Sequence, residues 1–146
     1  MKIEFEEEFG ISAEEAYGYF RTPADWPRLF PAFAGAVERG DGWYAVSFRG
    51  FPFPLVTRIT RDEPGAWVEW TFSGFWTGEG RVELEETAKG TIIRGYEIVS
   101  PRGLSLLGPA AERLFLETRF REVWEGGWRR LRRRTGSTES AGPTVD

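Results

Sequence analysis

The side chains of this chain that could move a proton are carboxylates, tyrosines and lysines, because the sequence contains no histidine and no cysteine. These absences exclude Ser-His-Asp and Cys-His nucleophilic sites, disulfides, and metal sites built from imidazole or thiolate ligands. Arginine stays protonated, so it can orient or polarise a ligand but is a poor proton carrier. Any catalysis would therefore depend on a carboxyl group, a tyrosine, a lysine or an ordered water.

Glu7 is a first candidate because of its position in the sequence. Apolar and charged residues alternate over Lys2–Phe9, as in a half-buried strand, and Glu7 falls on the apolar phase. If it is buried, its pKa would be raised, and it could act as a general acid or bind a ligand. The alternative is an exposed residue at a strand bulge, or a partner for an arginine such as Arg94. Glu97, in the last predicted strand, presents the same ambiguity.

Tyr96 and Arg94 share one phase of that last strand, which runs from about Ile92 to Val99. Apolar residues occupy both phases, so the pattern alone leaves open whether this pair or Gly95 and Glu97 faces the core. A tyrosine facing a pocket would offer both a flat ring and a hydroxyl, and an arginine would offer a cation. We therefore regard Glu7, Tyr96 and Arg94 as the candidate catalytic residues.

Aromatic side chains make up 16% of the chain and include seven tryptophans. Such residues indicate either a well-packed core or the wall of a pocket for a flat or acyl ligand. The residues predicted to line such a pocket are Phe48, Leu55, Thr57, Trp70, Phe72, Trp76, Val82, Tyr96, Leu114 and Thr118.

The elements that must position these residues follow a simple order. Ser12 and Glu15 form a capping box that opens a helix after the first strand, and prolines bound a second, short helix. Strands joined by tight turns then extend from about Ala36 to Ser100 and predict an antiparallel meander. One long helix follows, from Leu104 or Pro109 to about Arg134, with a kink or hinge predicted at two adjacent glycines, 126 and 127.

Only this long helix can cover the apolar face of the sheet, which predicts an α+β fold with a cavity between the two. Residues 1–134 are expected to form a single domain and residues 135–146 a disordered polar tail. The net charge of −4 argues against specific nucleic-acid binding. The arginines of Arg129–Arg134 either complement the helix dipole or make a weak contact with an anionic surface.

No apolar run is long enough to span a membrane, and no basic segment precedes an apolar stretch at the N-terminus, so a cytoplasmic protein is expected. The sequence contains neither a nucleotide fingerprint nor a cluster of metal-ligand residues, so no cofactor and no metal are expected.

Three local segments, in this order, resemble the SRPBCC superfamily, which includes START-type lipid carriers, polyketide cyclases and coenzyme Q-binding proteins. Phe9-x-Ile11-Ser12-Ala13-x-Glu15 resembles the first strand running into a capped helix. Trp26-Pro27-Arg28-Leu29-Phe30-Pro31 resembles the Tyr-Pro-x-Phe-x-Pro segment of the coenzyme Q-binding and polyketide cyclase-like branch. Gly90-Thr91-x-Ile93 resembles the Gly-Thr-x-Val start of the last strand.

The resemblance covers about residues 2–134 and implies a helix-grip fold, a curved antiparallel sheet of about six or seven strands wrapped around the long helix. It also implies the binding or transport of a small hydrophobic or amphipathic molecule, such as a lipid, a quinone or a polyketide. The alternative is a cyclase or aromatase that uses the same pocket without metal or nucleotide. A third hypothesis is a partner-binding module that uses the basic helix end or exposed tryptophans. The scarcity of ordinary catalytic residues favours a binding protein over an enzyme.

Overall fold

The computed structural model describes residues 1–102 and 109–136, with side chains of the last helix described from Leu114 onward. The strands are β1 (Lys2–Phe9), β2 (Phe33–Gly40), β3 (Trp43–Phe48), β4 (Leu55–Glu63), β5 (Trp67–Ser73), β6 (Trp76–Thr87) and β7 (Gly90–Pro101). The helices are α1 (Ala13–Phe20), a 3-10 turn (Pro23–Asp25), α2 (Trp26–Leu29) and α3 (Pro109–Thr135). No described helix is both long and apolar enough to cross a membrane.

All seven strands form one antiparallel sheet in the order β1-β7-β6-β5-β4-β3-β2. Strands β2 to β7 form a meander. Strand β1 pairs along the free edge of β7, so the first and last strands of the chain are neighbours in the sheet. The predicted α+β architecture, with short helices early and one long helix late, is confirmed. The alternative helix start near Leu104 and most of the predicted tail lie outside the described residues, while Thr135 ends α3.

The inner face of the sheet is the face that packs against α3. On β1, Phe5 stacks on Trp124 with ring centroids 4.2 Å apart, and Phe9 lies 5.7 Å from Trp128. The inner phase of β1 is therefore the odd-numbered one, which includes Glu7. The even-numbered glutamates of β1 face outward, toward solvent.

The register of β7 decides the question that its sequence leaves open. Ile93, Glu97 and Val99 are buried, whereas Arg94 is held on the outer face by Glu6 of β1 and Glu85 of β6. The two glutamates stabilise Arg94 on the solvent side of the sheet. Because side chains alternate along a strand, Glu97 then points into the core.

The short helices close one end of the domain. Ser12 Oγ accepts a hydrogen bond from the backbone N–H of Glu15 at 3.0 Å, as the capping-box pattern predicts. Trp26, Leu29 and Phe30, from α2 and its C-cap, are all buried. Their side chains fill the space between the sheet and the middle of α3.

Helix α3 continues through its two adjacent glycines, so they do not end the helix. A Cβ on Gly127 would lie 2.7 Å from Cδ1 of Phe30, which shows why a side chain is absent there. Gly127 lets α2 approach α3 closely and so anchors the C-terminal half of the long helix.

Candidate functional site

An open cleft lies between the N-terminal half of α3 and the segment that joins β3 to β4. Its volume is about 240 Å³. We call it the outer cleft. Its apolar lining consists of Ala32, Phe48, Phe51, Trp76, Phe115, Leu116, Phe120 and Val123. The charged residues of the lining are Arg49, after β3, and Arg119 and Glu122 on α3, and all three are exposed. An apolar lining with few polar groups is typical of sites for small ligands.

Local interactions hold the β3–β4 segment in place. Trp76 Nε1 donates to the carbonyl of Phe53 at 3.2 Å, and the Phe53 ring stacks on Phe75 at 4.2 Å. Arg49 Nε donates to the carbonyl of Pro31 at 3.0 Å, which ties the same segment to the turn before β2. The wall of the cleft opposite α3 is therefore fixed by hydrogen bonds as well as by packing.

A second, much smaller space lies deeper between sheet and helix, with a volume of about 10 Å³. We call it the inner void. It is lined by Phe20, Trp26, Phe30, Phe33, Leu55, Trp70, Glu97, Phe120, Val123 and Trp124. A void of this volume holds about one water molecule. Phe120 and Val123 line both spaces, so these two side chains separate the outer cleft from the inner void.

Glu97 is a carboxyl group within an aromatic core, and its residue is only 5% exposed. Its Oε1 accepts from Trp124 Nε1 at 3.1 Å, and its Oε2 accepts from Trp70 Nε1 at 3.3 Å. Burial raises the pKa of Glu97 from 4.5 to about 7, and the two indole donors lower it only in part. Near neutral pH the group therefore changes its protonation state, as an acid–base residue requires.

The strand register explains how this arrangement forms. Gly80 on β6 pairs with Trp70 on β5 and with Glu97 on β7, so the three residues form one row across adjacent strands. A Cβ on Gly80 would lie 2.4 Å from the Trp70 indole. The indole therefore lies over the glycine and extends across β6 to the carboxylate on β7.

Four of the residues predicted to line a pocket line one of these two spaces. Phe48 and Trp76 line the outer cleft, while Leu55 and Trp70 line the inner void. Thr57, Phe72 and Val82 are buried in the core, away from the linings of these two spaces. Thr57 Oγ1 donates to the carbonyl of Thr71 at 3.0 Å, so its hydroxyl is hydrogen-bonded to the neighbouring strand.

The other predicted lining residues lie elsewhere. Leu114 is 68% exposed, and Thr118, one turn further along α3, is also exposed, so neither side chain faces the sheet as predicted. Leu116 and Phe120 are the buried residues in this part of the helix. The prediction was wrong here because Leu114, Phe115 and Leu116 are consecutive apolar residues, which offer more than one apolar face in this part of the helix.

The three candidate catalytic residues do not converge. Tyr96 lies on the outer face of the sheet, where its hydroxyl donates to Glu79 at 2.9 Å, and Arg94 lies on the same face. Neither lines the outer cleft or the inner void, because the register of β7 turns even-numbered residues away from α3. Glu7 faces α3, but its carboxylate is bound by Arg132. The alternative of pairing with an arginine is thus realised, although the partner is not Arg94.

The pairing of Glu7 also involves the basic end of α3. Arg132 lies over the ring of Phe9, and Arg130 donates to the carbonyl of Pro27 at 3.0 Å. Burial, and then the nearby Arg134, Arg133 and Arg49 cations, lower the pKa of Arg130. Part of this basic segment is therefore used by the fold itself, and Arg129 and Arg133 are exposed.

Sequence reasoning did not include the α3 residues Leu116, Phe120 and Val123 in the predicted lining, and it ranked Glu97 below Glu7. The signal that pointed to Glu97 was its ambiguous phase in β7, but only the tertiary structure provides its two indole partners. Within residues 1–102 and 109–136 no group of three or more acidic side chains is arranged to hold a metal ion.

Comparison with known proteins identifies the family. The model of the family described as "Polyketide cyclase / dehydrase and lipid transport" matches residues 1–136, so the chain belongs to that family. This confirms the resemblance to the SRPBCC superfamily. The chain has no significant match among curated proteins.

Solved structures share the fold at low sequence identity. A START superfamily protein from Mycobacterium smegmatis is 14% identical, with a TM-score of 0.67 and coverage of 92% of this chain and 99% of that one. A conserved protein from Geobacillus kaustophilus is 11% identical, with a TM-score of 0.72 and coverage of 93% and 95%. The di-domain ARO/CYC StfQ of the steffimycin biosynthetic pathway is 18% identical, with a TM-score of 0.67; the match covers 92% of this chain and 51% of StfQ.

Proposed function

We propose that this member of the polyketide cyclase, dehydrase and lipid transport family binds a small hydrophobic or amphipathic molecule in the outer cleft. The observation that carries the proposal is the cleft itself, an apolar space of about 240 Å³ between α3 and the sheet. Lipids, quinones and polyketide-like aromatics are the ligand classes that such a lining accepts. A ligand of about 20 non-hydrogen atoms would bind with a Kd of tens of micromolar, at about −0.3 kcal/mol per atom.

The energetics support occupancy of the cleft. Phe115 is 51% exposed at the rim, so the cleft is open to water. Moving an apolar ligand into it removes this aromatic surface from solvent, which is favourable by about 25 cal/mol per Å².

Catalysis is the second candidate function, and Glu97 is the observation that favours it. A carboxyl with a pKa of about 7 can take up or release a proton near neutral pH. Of the three residues first considered for catalysis, Glu7 lies on the opposite face of the sheet from Tyr96 and Arg94, and Glu97 has no second acid or base beside it among the described residues. Binding without turnover therefore remains the primary proposal.

A thermal-shift experiment with cleft-filling variants tests the proposal. Decanoic acid, decylubiquinone and 2-naphthol represent the three ligand classes, each added at up to 1 mM. Ala32 lines the outer cleft, so Ala32→Trp should fill it and abolish the stabilisation seen with the native protein. Ala34 is exposed on β2 and is the matched control; Ala34→Trp should retain the shift. No shift with any probe, or equal shifts in both variants, would contradict binding in the cleft.

A further inference from the structure

Glu97 has hydrogen-bonding capacity that the protein does not use. A carboxylate has about four lone-pair sites, and the described residues supply two donors, the indoles of Trp70 and Trp124. When the carboxyl is protonated, its O–H needs an acceptor, and none of the described side-chain hydrogen bonds provides one. A buried polar group left without a partner is costly, so a further partner is expected at this position.

That partner would have to come from the inner void, because Glu97 is one of the residues that line it. The rest of the lining is aromatic or aliphatic. The indole N–H of Trp26, which also lies there, already donates to the carbonyl of Phe20 at 3.4 Å. Glu97 is therefore the polar feature of a void that otherwise offers apolar contacts.

The inner void adjoins the outer cleft. Phe120 and Val123 lie three residues apart on α3, on one face of the helix, and both belong to the linings of both spaces. The Phe120 ring makes edge contacts with Trp76 at 5.0 Å and with Phe48 at 5.8 Å between ring centroids. Phe120 is buried between the two spaces, so a ligand can pass from the cleft to the carboxyl only if this side chain moves.

We propose that the outer cleft and the inner void form one ligand site, in which Glu97 binds a hydroxyl group on the leading end of the ligand. A hydroxyl both donates and accepts, so it suits the charged and the neutral carboxyl equally, whereas an anionic leading end would be repelled by the charged form. The ligand class is then a slender or flat apolar body with a phenol or alcohol at one end. This inference rests on the proposed ligand-binding function.

Two probes of matched shape test it: 2-naphthol carries a hydroxyl where 2-methylnaphthalene carries a methyl. The indole N–H signals of the native protein in ¹H–¹⁵N spectra report the position of each probe. We expect both probes to shift the Trp76 signal, which reports the outer cleft. Only 2-naphthol should also shift the Trp70 and Trp124 signals, and it should bind about tenfold more tightly. Trp43, on β3 beneath Arg58, serves as the remote reference.

Two variants then separate the roles of the carboxyl and of the passage. Glu97→Leu removes the polar contact, and Val123→Phe narrows the passage while leaving Glu97 in place. Each should reduce the tenfold preference for 2-naphthol to about twofold or less. Binding of 2-methylnaphthalene should stay within about twofold in Glu97→Leu, because Glu97 does not line the outer cleft; Val123 lines that cleft as well, so Val123→Phe is judged by the preference between the two probes. If Glu97→Leu does not fold, the native spectra and Val123→Phe still decide the question.

The outcomes separate this inference from the function on which it rests. Equal affinity for the two probes, with a response at Trp76 but none at Trp70 or Trp124, would overturn the role of Glu97 and leave ligand binding intact. No response at Trp76 to either probe at 1 mM would overturn ligand binding in the cleft, and the inference would fail with it.

Discussion

The protonation of Glu97 should make the stability of this protein depend on pH in an unusual direction. The pKa of this carboxyl is about 7 in the folded protein and 4.5 in its ordinary environment. The folded state therefore holds the proton more tightly than the unfolded chain does. The resulting stabilisation is fully present below about pH 4.5 and is lost as the pH rises through 7, which is the opposite of the behaviour of a salt-bridged carboxylate.

The size of the effect follows from the two pKa values. At 1.36 kcal/mol per pH unit, the full difference corresponds to about 3 kcal/mol, of which about 2 to 3 kcal/mol is lost between pH 5 and pH 8. The group is buried, so solvent does not screen this difference. Replacing Glu97 by glutamine removes the titration and keeps the shape of the side chain.

The measurement is urea unfolding followed by tryptophan fluorescence at several pH values between 5 and 8. The free energy of unfolding of the native protein minus that of Glu97→Gln should fall by about 2 to 3 kcal/mol over this range. Glu38, exposed on β2, provides the control, and the corresponding difference for Glu38→Gln should stay constant within about 0.5 kcal/mol. A constant difference for Glu97→Gln as well would refute the buried, neutral carboxyl and the reasoning built on it.

Two further predictions concern the elements around this carboxyl. Gly80→Ala should destabilise the protein by about 1–3 kcal/mol in urea unfolding, because its Cβ would occupy the place of the Trp70 indole. Gly18→Ala on α1, where a Cβ meets nothing within 4 Å, is the control and should be neutral or slightly stabilising; equal effects would contradict the packing argument. Tyr96→Phe removes a hydrogen bond to Glu79 on the outer face, so the affinity for 2-naphthol in spectral titration should stay within about twofold, and a tenfold loss would show that Tyr96 contacts the ligand.

Much of the architecture follows from local signals in the sequence. The capping box of Ser12 and Glu15 produces the predicted helix, and the tight turns between strands produce the predicted meander. Period-two alternation identified the inner phase of β1, including the inward position of Glu7. These features depend on residues close together in the chain, where hydrogen-bonding geometry and side-chain alternation act directly. Phe48, Leu55, Trp70 and Trp76 were also predicted to line the pocket because large apolar strand residues face a core or a cavity.

The facing of the candidate site residues and the groups that contact them, by contrast, depended on contacts between residues distant in the sequence. The pattern of β7 is compatible with either face, and pairing with β1 and β6 decides that Glu97 points inward while Arg94 and Tyr96 point outward. Glu7 finds its cation 125 residues away, on α3, because the helix crosses that strand. In the N-terminal half of α3, packing likewise decides that Leu116 faces inward, since Leu114, Phe115 and Leu116 are consecutive apolar residues.

The sequence by itself determined the class of fold, the order of its elements, the aromatic character of its core and the exclusion of histidine and cysteine chemistry. Only the tertiary structure decided which carboxylate is buried and what surrounds it. The physical reason is that burial and hydrogen bonding set a pKa, and both arise here from a row of three residues on adjacent strands and from one tryptophan of α3. Strand register and helix rotation bring these groups together, and neither is encoded in the spacing of any single segment.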